Sequence, residues 1–548
     1  MRVVPGKVGV DQRFGDDCRQ VLGRPRGYED RLAQAPELVR RMHDRRLSHD
    51  TYRVMARRRQ YVVALDVGTS SVRAFLFDQR MSSVRAAEVH HPIKPRLRSD
   101  GTAELDADAL VRLVERSLSE LLRLAGPRRA GSIAGVGAST FWHGLVAADD
   151  AGRALTPLYL WSDTRSRTVV AGLKNRLDAE QVRLRTGCPI HPSYWPAKLT
   201  WLKEKRPDLW KTPARWLSFG DLLYWRLFGR LGTSASMASG TGLFRLRDCA
   251  WDEDLMSYLD IRRDSLPPIA EAELGLAAEY RRRWPHLADV PWLHAAGDGA
   301  LANLGSGCVT PVQRALTVGT SGALRVMHRS PGPETPPGLW TYRLDRERLV
   351  TGGALSNGGN LHAWLVHDVR VKQPGLESRL RAMAPTAHGL TFLPHLAGER
   401  SLGYDAAAFG AIAGLTSATA ADDIVRAGLE AVAIEFGRVD RRLDEVFPRA
   451  KRLVASGAAL LSSPAWMQMM ADATGRPVAV GNAKEASISG AALFAMESLG
   501  LAGRAAWRPG VGRVFRPDSR AAGAYRRAES RQEALYRTLI TDGVLEKT

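Results

Sequence analysis

A chain of 548 residues that is 45% hydrophobic, 25% charged and 7% aromatic buries large apolar cores but exceeds one comfortable core, so two domains or more are expected and a disordered tail protein is excluded. The formal charge of +20 is spread out: residues 1–59 hold 15 Lys plus Arg against 8 Asp plus Glu, net +7, leaving +13 over the other 489 positions. That distribution reads as a solvated basic surface rather than a nucleic-acid footprint, and no nucleic acid is expected as a partner.

No run of about 18 apolar residues exists to span a bilayer. The opening Met1 to Lys7 lacks the apolar stretch of a signal peptide, so no membrane is expected as a partner and the expected location is cytoplasmic. Cys18, Cys188, Cys249 and Cys308 stand far apart with no Cys-x-x-Cys pair, which suggests neither a zinc site nor a disulfide framework.

Residues 1–60 mix Arg, Asp, Gly and Pro without a sustained apolar period and read as a basic N-terminal extension, disordered or a mis-assigned start with Met55 as the alternative first residue. Order begins at Tyr61. Tyr61 to Asp66 is an apolar run ending in an acid, Val67 to Ser71 a polar turn, and Val72 to Asp78 a returning strand. A third strand fits Ser83 to His90. Asp106 caps a helix carrying Leu110, Leu113, Val114, Leu118, Leu121 and Leu122 on one face, and Ser132 to Ser139 is a buried strand, giving the order β-β-β-α-β.

The turn Val67-Gly68-Thr69-Ser70 recurs as Val318-Gly319-Thr320-Ser321, its glycines 251 residues apart and each copy set between two apolar runs. A duplication of one α/β unit is the expectation, with both turns facing one cleft. Turns of Gly, Thr and Ser offer N–H groups and hydroxyls to phosphate oxygens, and two opposed turns suit a polyphosphate. There is no Gly-x-x-x-x-Gly-Lys-Ser/Thr run, which excludes a P-loop, and Gly135-Val136-Gly137 lacks the third glycine of a dinucleotide fingerprint.

Asp66 stands beside the first turn, where a carboxylate holds hydrated Mg2+; the second copy has Thr317 at that place. Asp298, between Gly297 and Gly299 and ahead of a small-residue segment, is placed at a helix N-terminus, where N–H groups and the dipole favour its ionised form. An ionised, positioned carboxylate accepts the proton of an attacking alcohol.

Asp66 to Arg73, Thr317 to Gly322, Gly297-Asp298-Gly299, Leu393 to Arg400 and Trp466 to Asp472 together resemble the FGGY carbohydrate kinases, over roughly Tyr61 to Thr541. The resemblance implies two ribonuclease-H-like domains of the actin/hexokinase type, at 61–309 and 310–548, with ATP, Mg2+ and a sugar or sugar acid meeting in the central cleft. It implies Asp298 as the catalytic base, and Gly68, Thr69, Ser70, Ser71 and Arg73 with Gly319, Thr320 and Ser321 as the phosphate-binding set, while Asp66 stays the metal candidate from its place beside the first turn. Gly457, Ala458, Ala459 and Ser487 resemble the adenosine side. Trp142, His143, Gly144, Asp163 and Arg165, with Asp298, are the acceptor-side candidates, although Asp163 and Arg165 also suit a local salt bridge.

Within the family the likeness is to gluconokinases, through Thr186 to Pro192, Asp298 to Gly305, Thr320 to Arg325 and Gly352 to Gly359. Gluconate is an anion, so His143, Arg165, Lys198 and Arg400 are sensible partners for it. Xylulokinase or another polyol kinase stays as the nearest alternative, and an actin-like ATPase or a weakly catalytic sugar sensor as alternatives of another class. A homodimer is an allowed assembly. Departures from the family pattern fall at Leu402, Tyr404, Phe409 and Ala458.

Overall fold

The computed structural model describes residues 61–543 apart from 213, 272–273, 331, 333, 370, 372–373, 484 and 502–506; the expectations for residues 1–60, and Cys18, lie outside the described residues. Among the described residues Cys188, Cys249 and Cys308 are free thiols. No described helix is long and apolar enough to cross a membrane.

The apolar run from Tyr61 forms β1 (Tyr61–Val67), which turns through Gly68, Thr69 and Ser70 into the antiparallel β2 (Ser71–Asp78) and then β3 (Ser83–Pro92). The leucine-rich helix α1 (Ala107–Ala130) starts where Asp106 accepts a hydrogen bond from the Ala109 N–H, and it covers β2 and β3 with Leu110, Val114, Leu118 and Leu121 buried. Two short strands, Arg96–Leu97 and Ala103–Leu105, come between β3 and α1, a detail that the order β-β-β-α-β leaves out. The wholly buried β4 (Ile133–Thr140) runs parallel to β1, and the two-residue β5 (Ala296–Gly297) parallel to β4, giving the order β5-β4-β1-β2-β3. Helix α2 (Asp298–Gly305) follows directly from β5.

The same plan repeats. β6 (Gln313–Val318) turns through Gly319, Thr320 and Ser321 into β7 (Gly322–His328), followed by β8 (Trp340–Arg343) and β9 (Leu349–Leu355). After α3 (Ala421–Asp444) comes β10 (Arg452–Ser456), then α4 (Pro464–Thr474), β11 (Val478–Gly481), α5 (Ala486–Ser498), β12 (Val511–Phe515) and α6 (Ala522–Tyr536). The second sheet runs β8-β9-β7-β6-β10-β11-β12. Its central run β9-β7-β6-β10-β11 repeats β3-β2-β1-β4-β5 in order and in direction, two antiparallel pairs and then two parallel ones. The duplicated turn in the sequence is therefore one corner of a duplicated sheet.

One element crosses between the halves. Helix α5, far along the second half of the chain, packs on β1, β4 and α2, and its Ile488, Ala491, Leu493 and Met496 belong to the first core. A Cβ on Gly305 would collide with the Ala486 carbonyl, and one on Gly490 with the Leu301 carbonyl, so the two glycines set how closely α2 and α5 approach. A cut at 309/310 thus divides the chain but not its cores.

Candidate active site

Asp298 ties the two halves together, since it lines one cavity with Ser321 of the second turn and feels the charge of Asp66 beside the first. Gly68 donates its N–H to the Ser71 carbonyl (2.9 Å) and Gly319 to the Ser321 carbonyl (3.0 Å), so each glycine closes its own hairpin. The main-chain donors left without a partner among the described residues are those of Thr69 and Ser70 in one turn and Thr320 and Ser321 in the other, and these with their hydroxyls are what a phosphate would meet. Ser71 is already the first residue of β2 and buried.

Asp66 is buried at the end of β1. It accepts a hydrogen bond from Ser487 Oγ (2.8 Å), and Arg73 Nη1 lies 3.4 Å from it. Arg73 also reaches Glu485 at 2.7 Å, so its charge is divided between two carboxylates. Burial raises the Asp66 pKa against the pull of Arg73 and the Ser487 hydroxyl. Ser487, expected on the adenosine side, sits instead against Asp66, because α5 crosses to the first sheet.

Asp298 is the first residue of α2, with Gly297 as the cap residue; its Oδ1 accepts from the Gly299 N–H at 2.7 Å. The loop ahead of it is clamped. Ser236 Oγ accepts the Gly297 N–H (3.0 Å) while the Ser236 carbonyl accepts the Trp142 indole N–H (2.8 Å), and the Trp142 ring lies so close over Gly240, Gly297 and Gly299 that none of the three has room for a Cβ. The helix N-terminus does not hold the Asp298 pKa down: burial, then the neighbouring Asp66 charge, raises it to about 6, and Gly299, Arg325 and Arg400 oppose this only in part, so the carboxylate is ionised at neutral pH but more basic than usual. Two carboxylates with raised pKa close enough to repel suit a cation between or beside them, and the fit is of the kind Mg2+ makes, one protein carboxylate completed by phosphate oxygens and water. Among the described residues no group of three or more His, Cys, Asp or Glu forms a ready-made metal cage.

Asp298 opens into a cavity of about 130 Å3 whose wall also holds Ser321, Trp142, His143, Trp161 and Arg400. One cavity thus joins the carboxylate on the first half to the second turn. His143 takes a left-handed backbone conformation (φ 68°) and its Nδ1 lies 2.5 Å from the Gly240 carbonyl. A carbonyl only accepts, so Nδ1 carries the proton and Nε2 is the acceptor. Burial lowers the His143 pKa well below its usual value, and Arg400 adds to this, so the ring stays neutral.

Three acceptor-side expectations are corrected. Gly144 faces Phe141 and gives its carbonyl to the Trp195 indole N–H. Asp163 accepts the Ala103 N–H and pairs with Arg165, whose guanidinium also reaches Glu104 at 2.9 Å and lies over Tyr159 and Trp201. Neither Asp163 nor Arg165 lines the cavity, and the pair is the local salt bridge that the spacing also allowed. Gly457, Ala458 and Ala459 lie beside the second turn: Gly457 has φ 91° with Val318 pressed where a Cβ would point, and a Cβ on Gly359 would meet Ala459. The Ala458 methyl is exposed.

The structure adds residues that motif reading passed over. Arg325, buried on β7, donates through Nε to Asn303 Oδ1 (3.0 Å) and through Nη2 to Thr317 Oγ1 (2.8 Å), tying α2 to the second sheet. Trp340 and Tyr342 stack at 4.3 Å and back the Trp142 ring. An arginine inside an apolar strand, and aromatics at i and i+2 of one strand, were the available signals.

Residues 61–305 match the N-terminal domain, and 315–499 the C-terminal domain, of the FGGY family of carbohydrate kinases. A gluconokinase of Bacillus subtilis is 26% identical over 456 residues, 80% of this chain and 88% of that protein. A glycerol kinase of Aromatoleum aromaticum is 30% identical over 462 residues, 80% of this chain and 90% of that protein. The ligand-bound xylulose kinase of Lactobacillus acidophilus superimposes with a TM-score of 0.80 at 26% identity, covering 87% of this chain and 98% of that one. The chain belongs to the FGGY family of carbohydrate kinases, with the family's two-domain actin/hexokinase-like fold. Its activity is that of an ATP-dependent sugar kinase.

Proposed function

We propose that the enzyme transfers the γ-phosphoryl group of ATP to a hydroxyl of gluconate. The observation that carries this reading is the single cavity in which the Asp298 carboxylate, the second phosphate turn at Ser321 and a basic wall come together. Gluconokinase relatives and a cavity lined by Arg325 and Arg400 against the one carboxylate of Asp298 favour an anionic acceptor. A neutral ketose is the second reading, favoured by the superposition on a xylulose kinase.

In this reading the acceptor hydroxyl attacks the γ-phosphorus, the bond to the bridging oxygen breaks, and ADP leaves. Asp298 takes the hydroxyl proton. Because phosphoryl transfer is largely dissociative, that proton leaves late, and a carboxylate with a pKa of about 6 is basic enough to receive it. The free N–H groups of Thr69, Ser70, Thr320 and Ser321 hold phosphate oxygens from the two sides, and the Gly457 segment, packed against Val318 at the second turn, takes the adenosine side in this reading. Asp66, kept in place by Ser487, would hold Mg2+, which supplies charge neutralisation to the phosphates. The Trp142 clamp prevents Asp298 from drifting, since misplacement by about 1 Å costs on the order of 100-fold in rate.

Coupled measurement of ADP release with gluconate, xylulose and glycerol tests the assignment. Gluconate should give the highest kcat/KM; a ketose exceeding it would move the assignment to the second reading.

A further inference from the structure

Each corner of the duplicated sheets is tied to a helix from the other half of the chain. At the first, Asp66 takes the Ser487 hydroxyl of α5. At the second, Thr317 stands where the first copy has Asp66, and it is tied to α2 by Arg325. The Arg325 stem runs past Gly299, the neighbour of Asp298, its Cδ 3.7 Å from where a Cβ on that glycine would lie. Its Nε donates to Oδ1 of Asn303, wholly buried one turn further along α2, while Nη2 donates to Thr317 Oγ1.

This row of bonds has a direction. A guanidinium only donates, so Thr317 Oγ1 accepts from it, which leaves the threonine proton for Ser456 Oγ, 2.9 Å away. Ser456 ends β10, half-buried and directly ahead of Gly457, with its own proton free for a ligand oxygen. At the other end the Asn303 amide is held from both sides, because its Nδ2 faces the Cys308 and Arg325 carbonyls at 3.4 and 3.5 Å. The buried guanidinium is satisfied by these neutral acceptors, and Asp298 on the same cavity wall supplies the opposing charge.

We propose that Arg325 is a positioning residue that couples the nucleotide side of the site to the acceptor side: a nucleotide held at Ser456 fixes Thr317 and Arg325, and Arg325 fixes α2 and with it the Asp298 carboxylate. This rests on the adenosine-side reading of the Gly457 segment above. The acceptor then meets a settled base only when the nucleotide is in place, and by reciprocity each ligand tightens the other.

The test measures gluconate affinity by titration calorimetry on the intact enzyme, without and with saturating MgADP. Wild type should bind gluconate on the order of 5–50-fold more tightly with MgADP. Thr317→Val keeps the side-chain shape and removes both bonds; it should bring that ratio to within about twofold of one, with MgADP alone binding within about threefold of wild type. Thr317→Ser should keep the wild-type ratio, and Arg325→Lys, which has no fork to serve Asn303 and Thr317 together, should lose it. A folded Thr317→Val enzyme with the wild-type ratio overturns the proposal, as does wild type with no ratio to lose. Weaker binding of both ligands at an unchanged ratio also overturns it, since that is lost structure and not lost coupling. Ser456→Ala locates the failure: unchanged MgADP affinity there places it in the adenosine-side reading, and weakened MgADP beside an unchanged Thr317→Val ratio places it in Arg325. If gluconate does not bind wild type, the substrate assignment has failed separately, and the same ratio taken with the acceptor the enzyme does phosphorylate decides the coupling.

Discussion

Ser487 Oγ donates a 2.8 Å hydrogen bond to Asp66 Oδ2 across 421 residues of chain, so the carboxylate of the first half is oriented by a helix from the second. Bonds to charged groups are worth about 1.5–3 kcal/mol, enough to change how Asp66 is presented but not whether the chain folds. Ser487→Ala should lower kcat about tenfold and raise the Mg2+ concentration for half-maximal rate, and Asp66→Asn should raise that concentration further. Initial rates against Mg2+ at fixed ATP check this; an unchanged Mg2+ dependence in both variants removes Asp66 as the metal residue.

Asp298→Asn keeps the shape of the site and removes the proton acceptor. A fall in kcat of roughly 100-fold or more is expected, with ATP affinity within about threefold of wild type. Steady-state kinetics and nucleotide titration separate the two. Retention of full activity would exclude Asp298 from the chemistry.

The raised pKa of Asp298 sets two pH effects of opposite use. Activity needs the ionised form, so kcat/KM should fall about tenfold per pH unit below pH 6. Stability runs the other way: between the usual value of 3.8 and about 6 the folded state binds more protons than the unfolded one, so this group costs stability as pH rises through that window. Asp298→Asn should therefore melt higher than wild type at pH 7.5, with the gap closing by pH 4. A variant less stable than wild type at pH 7.5 would contradict the burial argument.

The clamp around Trp142 is testable without touching a charged group. Gly297→Ala sets a methyl against the indole ring, and overpacking of this kind costs typically about 1–3 kcal/mol. Loss of both stability and kcat is expected, read by denaturant unfolding and single-turnover rates. A wild-type rate in a well-folded Gly297→Ala variant would show that the ring does not position Asp298.

Much of this was legible in the sequence because it is local. The repeated Val-Gly-Thr-Ser turn marks a corner of each sheet, Asp106 announces its helix, and Gly297-Asp298-Gly299 marks the start of α2. What escaped depends on contacts between distant segments. Ser487 meets Asp66 only because α5 crosses back to the first sheet. Asp298 owes its raised pKa to burial and to Asp66, neither of which appears in its own neighbourhood of sequence. Asp163 and Arg165 are two residues apart, close enough for either role, and the choice was made by Glu104 and the Ala103 N–H on a different strand.

The most direct test of the central claim is continuous measurement of ADP formation by the purified full chain with ATP and Mg2+, with and without gluconate. The account predicts ADP release that requires the acceptor, is matched mole for mole by phosphorylated gluconate, and disappears in Asp298→Asn. ADP release at the same rate with no acceptor present, or none with gluconate while a neutral polyol supports it, would contradict it.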